Sequence, residues 1–372
     1  MLHNLKVAIV ADWLTNIGGA EKVIYELHKL FPTAPIFTSV FNKEKAGLFS
    51  GLDIRTSFIQ KLPGAKNHHQ WYLPFMPYAF EQMDLNDYDI VISSSHSCAK
   101  GVITKPNTLH ITYCHSPMRY AWDNFHTYIK EYTGNKLTAK LASTLMHRIR
   151  IWDRISADRA DAYIANSKHI QKRIKKYYGK TSKVIYPMLD TESFKATSKK
   201  KNYYIAVGRL IPYKKFDLIV DAFNELNLPL IIVGTGVAEN ELKKKAGSNI
   251  TFTGHIADFE LKKLLREAKG LVFPQIEDFG IVPLESMACG TPVIAYNAGG
   301  AQETIINKET GLLFDEQNVY SLKAAINQFE KIKWDTKKIV AQAKKFDTEV
   351  FKQSFTKFVE QTWEQWQKNM YL

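Results

Sequence analysis

Short apolar runs alternate along this chain with stretches whose apolar positions recur at helical spacing. The runs predict buried strands at 6–11, 89–93, 110–114 and 162–166, then at 203–207, 229–233, 250–253, 271–274 and 292–296. Helical periodicity covers 20–30, 137–157, 217–226 and 240–246. This alternation predicts an α/β chain: two Rossmann-like doubly wound parallel sheets, each covered by helices on both faces. A polar, lysine-rich break interrupts the pattern. It divides the chain into an N-terminal domain (1–190), a linker (191–202) and a second domain (203–349). In 350–372, Phe351, Phe355, Phe358, Val359, Trp363, Trp366 and Met370 fall on one helical face. So many large apolar groups require cover, so this helix is expected to dock back on the N-terminal domain.

Bulk numbers change the picture modestly. A length of 372 residues and 45% hydrophobic content suit two globular domains. No apolar run approaches the roughly 20 residues of a membrane helix, and Val7–Ala11 followed by Asp12 reads as a first strand, not a leader. Cys98, Cys114 and Cys289 are scattered, with no metal or disulfide pattern, which suits a reducing cytoplasm. The net charge of +13 points to anionic partners: a phosphorylated substrate, a membrane surface or nucleic acid. Lys168, Lys172, Arg173, Lys175, Lys176, Lys180 and Lys183 form an acid-free segment with a helical stripe of Ile170, Ile174 and Tyr177. It suits either an anionic inner-membrane surface or an ordinary solvated face. Nucleic-acid motifs are absent.

The densest chemistry is at 277–285, where Glu277 and Glu285 flank Gly280 directly after the 271–274 strand. Pro283 at a first helical position and Gly290 as a left-handed stop predict a short helix between them. Glu277 then lies in the preceding loop and Glu285 in the first turn. Amides at a helix start favour phosphate, and carboxylates accept from sugar hydroxyls, so the block suits a nucleotide sugar. Arg209 and Lys214 follow the strand ending at Gly208, where ligands of open parallel sheets bind and two cations can neutralise a diphosphate. Gly18-Gly19 precedes a helix after the first strand, and Gly234-Thr235-Gly236 follows a later one. Neither completes the dinucleotide fingerprint. His115 stands at a strand's ligand-facing end; nearby Tyr120 and Trp122 suit either a sugar wall or core. Asp87-Tyr88-Asp89 precedes a strand and reads as a turn.

Together, Gly18-Gly19, His115-Ser116-Pro117, Ala165-Asn166-Ser167, Gly208-Arg209 with Lys214, and the Glu277/Glu285 pair resemble the retaining GT-B glycosyltransferases of family 4. Arg119–Asp123 and Gly208–Lys214 resemble its bacterial mannosyltransferase-like branch, which builds O-antigen, capsule or exopolysaccharide. The resemblance implies roles: Arg209 and Lys214 on the donor diphosphate, Glu277 on the sugar and Glu285 on the ribose. It puts the backbone of Phe279, Gly280 and Ile281 against sugar and phosphate, and Gly19 near the phosphate. It also sets His115 beside the reacting carbon. Gly18, Gly208 and Gly234 count among the donor-side positions. The resemblance further implies a metal-independent hexosyl transfer with no cofactor. The donor would be GDP-mannose, with UDP-hexoses next, and the acceptor a glycan or polyprenyl-diphosphate-linked glycan. A non-hydrolysing epimerase or a phosphorylase on the same scaffold, and a basic lipid- or nucleic-acid-binding module, are the competing readings.

Overall fold

The computed structural model describes residues 5–132 and 134–370. Two compact units emerge: one spans 1–187 together with 352–372, the other 188–351. The segment 191–202, expected as a linker, lies inside the second unit. Thr191 there donates its backbone N–H to Asp347 at 3.3 Å, and Lys200 donates to the Arg266 carbonyl at 2.8 Å. Its polar composition reflects exposure rather than independence.

The first unit holds seven parallel strands: β1 (Val7–Ala11), β2 (Ile36–Thr38), β3 (Ile54–Thr56), β4 (Ile90–Ser95), β5 (Leu109–Cys114), β6 (Ala162–Ala165) and β7 (Lys183–Val184). Their order is β3-β2-β1-β4-β5-β6-β7. β1, β4 and β5 are buried throughout, as continuous apolar runs in a helix-covered sheet should be. The second unit holds six: β8 (Tyr204–Val207), β9 (Leu230–Val233), β10 (Ile250–Gly254), β11 (Gly270–Phe273), β12 (Val293–Tyr296) and β13 (Gly311–Phe314), in the order β10-β9-β8-β11-β12-β13. This is the expected doubly wound α/β architecture. In each sheet the winding reverses between two strands, β1 and β4 in one and β8 and β11 in the other. Loops leaving the carboxyl ends of such a pair diverge and leave a crevice.

The helix Thr348–Met370 follows the second unit in sequence, yet from Lys352 onward it belongs to the first. Phe355, Val359 and Trp363 are buried, and the Phe355 ring lies 6.5 Å from that of Tyr113 on β5. The Met370 side chain, residues 371–372 and residues 1–4 lie outside the described residues.

Candidate active site

At the reversal point of the second unit, the loops after β8 and β11 carry the residues singled out from the sequence. Lys214 Nζ lies 3.1 Å from Glu277 Oε1, with both side chains largely buried. Each therefore fixes the other where water screens poorly. Gly208 adopts φ +154°, and a Cβ there would stand 3.3 Å from Lys214 Nζ. The glycine thus lets the lysine fold back over the strand end. Gly234 is close beneath: a Cβ on it would meet the Gly208 carbonyl at 2.0 Å, and one on Gly236 the Leu210 carbonyl at 2.3 Å. Gly234-Thr235-Gly236 is therefore a shelf for the cationic loop. Arg209 is exposed on that loop and makes no ion pair among the described residues.

The Glu277 loop is held from the β12 side. The Gly300 N–H donates to the Glu277 carbonyl at 2.9 Å, and a Cβ on Gly300 would meet the Phe279 carbonyl at 2.1 Å. Phe279 is buried with its ring 5.7 Å from Phe346. Gly280 caps the next helix at φ +87°, so only a glycine takes that bend without strain. The helix runs Ile281–Ala288, two residues earlier than Pro283 suggested. Proline is tolerated there because the first-turn amides have no intrahelical acceptor. Glu285 consequently occupies the second turn, not the first, and is half-buried. Gly290 takes φ +73°, the left-handed stop expected.

The first unit has a parallel arrangement that the sequence reading missed. Asp12, directly after β1, is 2% exposed. It accepts backbone N–H bonds from His96 at 2.7 Å, Ser97 at 2.9 Å and Ala99 at 2.7 Å, all just past β4. His96 Nδ1 also lies 3.1 Å from Asp12 Oδ2. Trp13 packs between two imidazoles, 4.6 Å from His69 and 4.7 Å from His96. The one available signal was position: Asp12 ends its strand as His96 does the next, and a charged group just past a strand end faces ligand territory.

His115, leaving β5, joins this group. Its ring lies 6.5 Å from His96 and its Nε2 is 2.8 Å from Ser94 Oγ. Burial, aided by nearby His96, pushes His115 down to about 3, so it is a neutral imidazole at ordinary pH. Its motif is pinned from behind. Asn166 donates to the His115 carbonyl at 3.0 Å, and Arg173 donates to Ser116 Oγ at 2.6 Å. Ser167 caps the helix that carries Arg173. Gly18 and Gly19 begin the helix after β1, but the Gly18 N–H donates to Glu21 Oε2 at 2.9 Å. The Gly18 amide is thereby committed within its own turn, while Gly19 is exposed. Burial raises the Glu21 carboxyl against the opposing pull of that bond.

Two aromatic residues left open by sequence have structural partners. Trp122 Nε1 donates to Asp153 at 2.7 Å and stacks on Tyr177, and Tyr120 pairs with Ser97 at 2.7 Å. Asp87 lies in a turn, and Asp89 accepts the Lys6 N–H at 2.8 Å.

Residues 17–193 match the family model described as Glycosyltransferase Family 4, and 190–346 that of Glycosyl transferases group 1. A GDP-mannose-dependent alpha-(1-6)-phosphatidylinositol monomannoside mannosyltransferase of Mycobacterium tuberculosis is 30% identical over 45% of this chain and 52% of its own length. The O-antigen chain mannosyltransferase C of Escherichia coli is 28% identical over 54% of this chain and 58% of its own length. The chain thus spans just over half the length of these relatives. Among solved structures, Anabaena Alr3699/HepE in complex with UDP superposes with a TM-score of 0.71. It is 18% identical and covers 96% of this chain and 100% of that one.

Proposed function

We propose that this chain, whose residues 17–193 match the family 4 glycosyltransferase model and 190–346 the group 1 model, transfers a hexose from a nucleotide diphosphate sugar to an acceptor hydroxyl, with retained anomeric configuration. The observation that carries this reading is the Lys214–Glu277 pair, 3.1 Å apart at the sheet reversal, next to the helix start at Gly280. A cation, a hydroxyl acceptor and outward amides at one crevice match a diphosphate joined to a sugar.

In the reaction, the bond from the anomeric carbon to the diphosphate breaks and a bond to the acceptor oxygen forms on the same face. The acceptor proton passes to the departing diphosphate. Arg209 and Lys214 neutralise the charge that builds on that leaving group, together with the amides of Phe279, Gly280 and Ile281. Glu277 accepts from sugar hydroxyls and Glu285 from the ribose. In the first unit, His115 is a neutral imidazole, so it offers a sugar hydroxyl a hydrogen bond without repelling a cationic centre. The names of the mannosyltransferase relatives favour GDP-mannose, with UDP-hexoses as the competing donors, and a lipid-linked glycan in surface polysaccharide assembly as acceptor. The chain needs no metal for these steps.

Arg209→Ala and Glu277→Ala test the reading. Each should lower transfer by a factor on the order of 10²–10³, the usual effect of removing one preorganised charge-stabilising group. Full turnover in either variant overturns the assigned roles. A thermal-shift screen of GDP-mannose against UDP-hexoses identifies the donor, because a ligand that binds only the folded state raises its stability.

A further inference from the structure

The helix Lys136–Ser156 of the first unit buries Met146, Ile149, Asp153 and Ser156 and turns a second apolar stripe outward. Leu137 is 79% exposed, Leu141 72%, Ile151 48% and Ile155 59%. With Thr144 and Arg148 these positions step by four and three, so they line one face of the helix. An amphipathic helix ordinarily turns its apolar stripe to the core and its polar face to water. This one exposes both aliphatic and basic groups: Lys136, Lys140, His147, Arg148 and Arg154 are also exposed, and no acidic residue occurs from 136 to 152.

A neighbouring segment repeats the pattern. Phe58, Trp71, Phe75 and Tyr78 are exposed beside Lys61, Lys66 and His68, and 54–80 contains no acid. Trp152 of the helix donates to Glu81, at the end of that segment, at 2.8 Å. Both elements pack on one hydrophobic cluster.

We infer that this surface docks on an anionic lipid bilayer, with the leucines, isoleucines and aromatic rings entering the headgroup boundary and the cations meeting phosphate. Aliphatic anchors flanked by lysine and arginine are the chemistry of interfacial helices, and aromatic side chains favour the same depth. Two copies meeting through this face would oppose cation to cation. The basic helix Lys168–Tyr178 is the weaker lipid surface: Ile170, Ile174 and Tyr178 lie in the core, and Arg173 pairs with Asp123 at 2.6 Å. The inference stands on the exposed stripe and not on the donor chemistry.

Flotation of the full chain with phosphatidylcholine vesicles, and with vesicles mixed with phosphatidylglycerol, tests it. The chain should float with the anionic vesicles and be released by salt. Leu137→Gln with Leu141→Gln should weaken binding at least about ten-fold. Lys140→Glu with Arg148→Glu should weaken it by about five-fold or more per site. Thermal midpoints and donor-induced stabilisation should stay at wild-type values in both variants, which separates this result from the proposed transfer. No binding to anionic vesicles, equal binding by the leucine variant, or self-association that this variant abolishes would overturn the inference.

Discussion

Three histidines of the first unit owe their titration to burial. Burial pushes His69 and His110 down to about 4 and His115 to about 3, from an ordinary value of 6.5. The unfolded chain takes up protons near 6.5 that the folded chain refuses. The stability held in these neutral imidazoles is therefore complete above about pH 6.5 and is lost as pH falls toward 4 and 3. Thermal midpoints measured from pH 7 to 4 should fall, and His110→Asn should flatten the fall. A midpoint that rises on acidification would contradict the assignment. The meeting of Lys214 with Glu277 was legible because charge and strand-end position coincide at both. Asp12, His96 and His69 escaped notice because their contacts join loops 54 to 84 positions apart, and no local pattern encodes them.

Elements were legible in type and less so at their ends. The apolar runs located the central strands, whereas the three-residue strands β2 and β3 and the two-residue β7 are too short to carry a period. The helix after Gly280 starts early because a left-handed glycine, not the proline, sets its first turn. That element also depends on Gly300. Its φ of −66° is ordinary, so Gly300→Ala adds no backbone strain, only a methyl against the Phe279 carbonyl. The 277–281 loop must shift, costing about 1–3 kcal/mol as overpacking does and abolishing donor-induced stabilisation. Unchanged donor stabilisation in a folded variant would show that the loop is not needed for binding. On the helix Lys136–Ser156, Asp153 pairs with buried Lys100 and accepts from Trp122 and Tyr178. Asp153→Ala strands a buried ammonium and should cost about 3–5 kcal/mol in urea unfolding. A loss below about 1 kcal/mol, the usual worth of an exposed pair, would mean that solvent reaches Lys100.

At the scale of the whole molecule, the alternation of runs and periods conveyed two doubly wound sheets, and the stripe on 350–372 conveyed that the last helix needed cover. The boundary was harder to place, since the lysine-rich segment marks a surface of the second unit and not a hinge. The reversal points could not be read at all from periodicity, because strand order is decided by crossovers. Yet they bring Lys214 to Glu277 and His96 to Asp12. Removing residues 352–372 should expose the Tyr113 side of the first sheet and make that unit selectively sensitive to protease, with the second unit resistant. Equal resistance of both units would argue that the helix is dispensable.

The passage of the chain out of the first unit and back into it fixes an order of events during synthesis. Domains usually fold as they leave the ribosome, the N-terminal one first. Here the nascent first unit must wait for 164 further residues, those of 188–351, before its closing helix is made. During that interval the surface destined for Phe355, Val359 and Trp363 is bare, which makes the growing polypeptide a natural client for a chaperone.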